Sequence, residues 1–112
     1  MADDLELKEL EQFYGTESYH NVMGMNCTDG VAYIMKNGYS WFVTDAIAVI
    51  ITKLRNEGFL SIKLNVKDEK ADMLITDGNN KELYKQHYKW TNAKRNVELY
   101  YMDGVMMLTR EY

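Results

Sequence analysis

Proline is absent from this chain of 112 residues, cysteine occurs once, and basic side chains are outnumbered by acidic ones, 13 against 17. The lack of proline and of any repeated low-complexity tract excludes a collagen-like architecture. A lone Cys27 cannot close an intramolecular disulfide, and with only His20 and His87 beside it a structural zinc site is not expected. The opening Met1-Ala2-Asp3-Asp4 is acidic where a secretory signal is basic, so no export is expected. The most apolar stretch, Trp41 to Ile51, is interrupted by Thr44 and Asp45 and falls short of the roughly 20 residues that cross a bilayer. From these absences the expected location is the cytoplasm, away from membranes. A net charge of −4 also argues against direct nucleic-acid binding, which usually needs a concentrated positive face.

What remains is ordinary globular material: 46% hydrophobic, 12% aromatic and 27% charged residues in 13.1 kDa, enough for one domain over residues 1–112. Leu5, Leu7, Leu10 and Phe13 among acidic residues predict a short amphipathic helix that Gly15 ends. Residues 16 to 27 show no period and read as an ordered loop. Thr28-Asp29-Gly30 then caps a second helix, in which Val31, Ile34 and Met35 keep helical spacing until Asn37-Gly38. Ser40 is expected to cap the third and longest helix, which runs to about Asn56 and carries Trp41, Val43, Ile47, Ile50, Ile51 and Leu54 on its apolar side.

Beyond Gly58 the period changes to two. Leu60, Ile62, Leu64 and Val66 alternate with polar residues, and strands are predicted at Ala71–Thr76, Glu82–Trp90, Val97–Met102 and Val105–Thr109. Asp77-Gly78-Asn79-Asn80 and Asp103-Gly104 supply turns. The expected fold is therefore α+β, with three N-terminal helices packed on a C-terminal antiparallel sheet of about five strands.

No catalytic constellation stands out, so candidate sites rest on single groups. Asp45 projects from a mostly apolar helix surface, and an unpaired buried carboxylate costs several kcal/mol, so it must have a partner or reach water. The plainer reading is a carboxylate that ties down the loop before the second helix. The functional reading is a pocket of Thr16, Tyr19, His20, Asp29, Trp41 and Asp45, holding a small molecule or nucleotide and open to acid–base chemistry. Nothing in the spacing matches a known metal loop, and no metal or cofactor is expected. Glu6, Glu9 and Glu11 form an acidic face suited to a basic partner protein, although a merely solvated face has the same composition. Lys81, Lys85 and Lys89 are interleaved with Tyr84, Tyr88 and Trp90, but strand alternation sends lysines and aromatics to opposite faces, which weakens a base-stacking surface. Nine tyrosines and eight methionines favour a protein interface or a homodimer.

Several segments taken in order carry a resemblance: Phe13-Tyr14-Gly15-Thr16-Glu17 with Tyr19; Thr28-Asp29-Gly30-Val31 with Tyr33; Gly38-Tyr39-Ser40-Trp41 followed by Asp45-Ala46-Ile47-Ala48; and Leu99-Tyr100, Asp103-Gly104-Val105 and Glu111-Tyr112. The chain resembles a family of small single-domain proteins of unknown function from bacterial and phage genomes. The resemblance spans nearly the whole chain but is weak from Lys53 to Asn96, and it implies no activity. It implies a mobile-element setting, in which small acidic proteins block host machinery. The leading expectation is accordingly a non-enzymatic protein-binding module that engages a host protein, such as a phage inhibitor of a bacterial defence system (an anti-CRISPR, for example). The alternatives are a small-molecule or nucleotide-binding domain at the Asp45 pocket and a homodimeric scaffold.

Overall fold

The computed structural model of the protein describes residues 19–112. The chain forms β1 (His20–Val22), β2 (Met25–Cys27), α1 (Asp29–Ile34), a π-helical turn (Met35–Tyr39) and α2 (Ser40–Lys53). It continues with β3 (Phe59–Lys67), β4 (Lys70–Thr76), β5 (Glu82–Tyr88), β6 (Val97–Met102), β7 (Val105–Leu108) and a closing 3₁₀ turn at Thr109–Glu111. All seven strands join one sheet in the order β1-β2-β7-β6-β3-β4-β5, antiparallel except for the β2–β7 pair.

This overturns the expectation of three N-terminal helices on a five-stranded sheet. One kinked helical stretch, Asp29–Lys53, takes the place of the second and third helices: Asn37 (φ −110°, ψ 31°) and Gly38 leave helical geometry, and α2 follows at once from Ser40. Gly38 (φ 102°) makes the kink, and the broken ladder is patched locally: Trp41 Nε1 donates to Gly38 O at 2.9 Å and Asn37 Nδ2 to Tyr33 O at 2.8 Å. Ser40 is the first residue of α2 rather than its cap, and no side chain caps that helix. The two additional strands, β1 and β2, come from the segment read as a loop, where Met23 (φ 55°) and Gly24 (φ 89°) form a two-residue hairpin turn. The helix expected at residues 4–13 lies outside the described residues.

The strand pattern after Gly58 follows from alternation. Leu60, Ile62 and Leu64 of β3 share a face with Met73 and Ile75 of β4, with Leu99 of β6 and, through the β6–β7 register, with Met106. Phe42, Val43, Ala46, Ile47 and Ile50 of α2 complete the same buried cluster. Among the described residues no helix is long and apolar enough to cross a membrane.

Two consequences of the strand order position everything that follows. Because β2 runs parallel to β7, both strands end on the same side of the sheet, and Thr28–Gly30 emerge beside Leu108–Glu111. Because β5 leaves the sheet next to the start of β4 while β6 enters opposite Leu64 of β3, residues 89–96 must cross the tip of the β3–β4 hairpin.

Candidate functional site

At the start of the helical stretch, Thr28 caps α1 by accepting from Val31 N through Oγ1, while its hydroxyl donates to Glu111 Oε1 at 2.6 Å. Glu111 also accepts from Gly30 N at 3.2 Å and from Leu108 N at 2.9 Å. The carboxylate thus answers backbone donors at the starts of two helical segments at once, α1 and the closing 3₁₀ turn. Gly30 permits this approach: a Cβ there would stand 2.5 Å from Glu111 Oε1 and from Leu108 Cδ1. Beside this latch, His20 Nε2 and Asp29 Oδ1 are 2.8 Å apart on the surface. Tyr19, Thr28 and Glu111 line a cleft of about 270 Å³ with Met102, Val105 and Met107.

Asp45 finds its partner on the far strand. Tyr88 Oη donates to Asp45 Oδ2 at 2.8 Å, and the Trp41 ring meets the Tyr88 ring edge-on with centroids 4.8 Å apart. Burial, and then the hydrogen bond to the Asp45 carboxylate, push the Tyr88 hydroxyl well above the ordinary tyrosine range. β1 and β5 are opposite edges of the sheet, six interstrand steps apart, or roughly 29 Å at about 4.8 Å per step. The five described members of the six-residue pocket expected from sequence are therefore divided: His20 and Asp29 pair at one edge beside Tyr19, whereas Trp41 and Asp45 gather on Tyr88 at the other. Thr16, like Glu6, Glu9 and Glu11, lies outside the described residues.

The site that sequence reasoning missed lies where residues 89–96 cross the β3–β4 hairpin. Strand β5 ends at Tyr88 rather than at Trp90, so Trp90 turns out of the aromatic core and is 61% exposed. Thr91 is fully buried, and its N–H donates to Glu69 O at 2.7 Å. Its Oγ1 accepts from Ala93 N at 3.0 Å, and Asn96 Oδ1 accepts from Val66 N at 2.7 Å. These bonds clamp the crossing segment onto the hairpin and leave a cleft of about 380 Å³ whose lining includes Trp90 and Asn92, the acidic Asp68 and Glu69, and the basic Lys67 and Lys94. That size lies within the range of ligand pockets.

Three features set this cleft apart. Asp68 (φ 53°) and Glu69 (φ 63°) both occupy the left-handed region, where a residue with a side chain costs about 1–2 kcal/mol. Among the described residues neither carboxylate has a cation within ion-pair distance. Asn92 Oδ1 is sealed from solvent with no hydrogen-bond donor, a deficit of about 1–3 kcal/mol. The sequence signal was present in the polar run Thr91-Asn92 directly after Trp90, which a strand two residues too long concealed.

Other reactive groups are quiet. Cys27 is buried in β2 and burial pushes its thiol up to about 11. Ser61 is nearly buried and donates to Glu98 Oε2 at 2.9 Å, while His87 is paired with Asp72 across β4 and β5 at 2.9 Å. No group of three or more His, Cys, Asp or Glu side chains among the described residues is placed to hold a metal ion.

In comparisons with known proteins, the model of one family, described as a family of unknown function (DUF6876), matches residues 4–112. No curated protein and no solved structure matches the chain.

Proposed function

Since the chain belongs to this family of unknown function, which hands down no activity, we propose from the geometry that it is a non-enzymatic protein-binding module. The observation that carries this reading is Trp90, a large aromatic side chain 61% exposed at the mouth of a formed cleft. An exposed tryptophan forgoes about 1.5–3 kcal/mol of burial, and tryptophan in a pocket is the residue type most enriched among binding hot spots. The quiet chemistry supports the same reading: the Cys27 thiol is buried and its pKa raised, so it is a poor nucleophile, and each histidine is held by an aspartate on the surface rather than beside a nucleophile.

Within this proposal the partner is a host protein, and a defence nuclease is the first to screen, given the mobile-element setting that the sequence resemblance implies. Tagged full-length protein is used to capture partners from a bacterial lysate, with wild type and Trp90→Ser side by side. The expected result is a stoichiometric protein bound by wild type and lost from Trp90→Ser at an unchanged melting temperature. Retention of every partner by the variant contradicts the reading.

A homodimer is the second reading. Phe59, Tyr100 and Tyr112 cluster at centroid distances of 5.0 to 6.1 Å on the sheet face away from α2, with Tyr112 70% exposed. Light scattering that returns twice the 13.1 kDa chain mass supports it, and the chain mass alone excludes it.

A further inference from the structure

We propose that the sheet face turned away from α2 is a docking surface for residues 4–14 of the same chain, an inference that goes beyond the Trp90 reading and stands on a different face. The two faces of the sheet are covered unequally. On the first, Leu60, Ile62, Leu99 and Met106 are buried in one cluster with Val31 and Ile34 of α1 and Phe42 and Ile47 of α2. On the other, the register sets Phe59, Met102 and Val105 in one row and Ser61, Tyr100 and Met107 in the next. Phe59, Tyr100, Met102 and Val105 are only half-buried, and Tyr112, whose ring meets those of Phe59 and Tyr100 edge-on, is 70% exposed. Thr76, Lys63 and Glu98 border these rows. A contiguous apolar patch with a polar rim marks a place where another surface docks.

The occupant follows from where the chain enters and from what it carries. Tyr19, the first described residue, lines the cleft of about 270 Å³ with Met102, Val105 and Met107, so residue 18 is joined to the chain at the border of this face. The preceding sequence holds a matching apolar surface. Leu7, Leu10 and Tyr14 stand at the i, i+3 and i+7 positions of a helical stripe, with Phe13 beside them. A stripe of this length needs a surface to pack on, because isolated helices shorter than about 12–15 residues are marginal in water. The tether is long enough as well. Residues 15–18 reach about 13 Å at roughly 3.3 Å per residue, whereas β7 and β3 are two interstrand steps apart, roughly 10 Å. A second copy competes poorly for the same patch, since a segment on a short tether meets it at an effective concentration in the millimolar range whatever the protein concentration. Closing this face from within leaves the homodimer reading without its surface and leaves Trp90 as the exposed aromatic anchor.

The test uses the full chain with ¹³C-labelled leucine and methionine methyl groups. The expected result is nuclear Overhauser contacts from the Leu7 and Leu10 methyls to the ε-methyls of Met102 and Met107, in a protein whose light scattering returns the 13.1 kDa chain mass. In a mixture of labelled and unlabelled chains, isotope filtering is expected to place these contacts within one chain. Leu10→Asp with Phe13→Asp is expected to abolish them and to shift the Met102 and Met107 signals, while the signal of Met73, fully buried on the α2 side, stays where it is and reports an intact fold. Contacts found only between chains assign the face to a second copy and overturn the proposal. Absence of any contact from Leu7 or Leu10 to this face in the wild-type chain also overturns it, and a Met107 signal that then moves on adding a captured protein gives the face to that partner.

Discussion

A methyl group at residue 30 has nowhere to go: its carbon would lie 2.5 Å from both Leu108 Cδ1 and Glu111 Oε1. Gly30→Ala is therefore expected to cost about 1–3 kcal/mol in urea denaturation, the range for overpacking a fitted site. Glu111→Ala removes the partner of Thr28, Gly30 N and Leu108 N together, and a comparable loss is expected. A loss below about 0.5 kcal/mol in both variants contradicts the latch. Two buried groups set the alkaline limit. Cys27 is raised from 9.0 to about 11, and Tyr88 is raised above its ordinary 10 by burial and by Asp45. A folded pKa above the unfolded one favours the protonated form, so these contributions are complete below about pH 9 and decline as pH climbs through the window above it. Thermal unfolding is expected to stay level from pH 7 to 8.5 with respect to these groups and to weaken beyond pH 9. The decline is expected to be shallower in Cys27→Ala with Tyr88→Phe.

Among the elements, the hairpin turns carry the most information. Three two-residue turns join paired strands: Met23-Gly24, Asp68-Glu69 and Asp103-Gly104, each with two positive φ values. The third has the Asp-Gly signature and was legible. The other two were not, because methionine before glycine and two acidic residues in succession are not what a type I′ turn selects from sequence. That is why β1 and β2 read as a loop. Asn37-Gly38 was legible as a helix stop and does break helical geometry, but the kink is spanned by the Asn37 and Trp41 side-chain hydrogen bonds and α2 follows without a connecting loop. Asp45 was legible as a residue in need of a partner, but Tyr88 lies 43 positions away, and only the sheet order selects it. The strained Asp68-Glu69 turn makes a prediction of its own. Glu69→Gly relieves the left-handed cost and is expected to stabilise the fold by about 0.5–1 kcal/mol in denaturant titration. A variant no more stable than wild type contradicts strain at this turn.

On the scale of the whole molecule, one kinked helical stretch packs on one face of a seven-stranded sheet, and the exposed Trp90 and the unpaired Asn92 Oδ1 lie where one connection crosses one hairpin. The remaining polar clusters are internally satisfied: Glu111 by three donors, Asp45 by Tyr88, Asp29 by His20 and Asp72 by His87. A protein-binding module built this way acts through the hairpin tip and the crossing segment, with the latch and the Asp45–Tyr88 bond holding the scaffold beneath them. The most direct test is amide hydrogen exchange of the protein alone and bound to the partner it captures. The account predicts that protection on binding is concentrated in residues 66–70 and 90–95, with little change in β6 and β7. Protection confined to residues 98–108 and the C-terminal turn, with the hairpin tip and Trp90 segment exchanging as in the free protein, would contradict it.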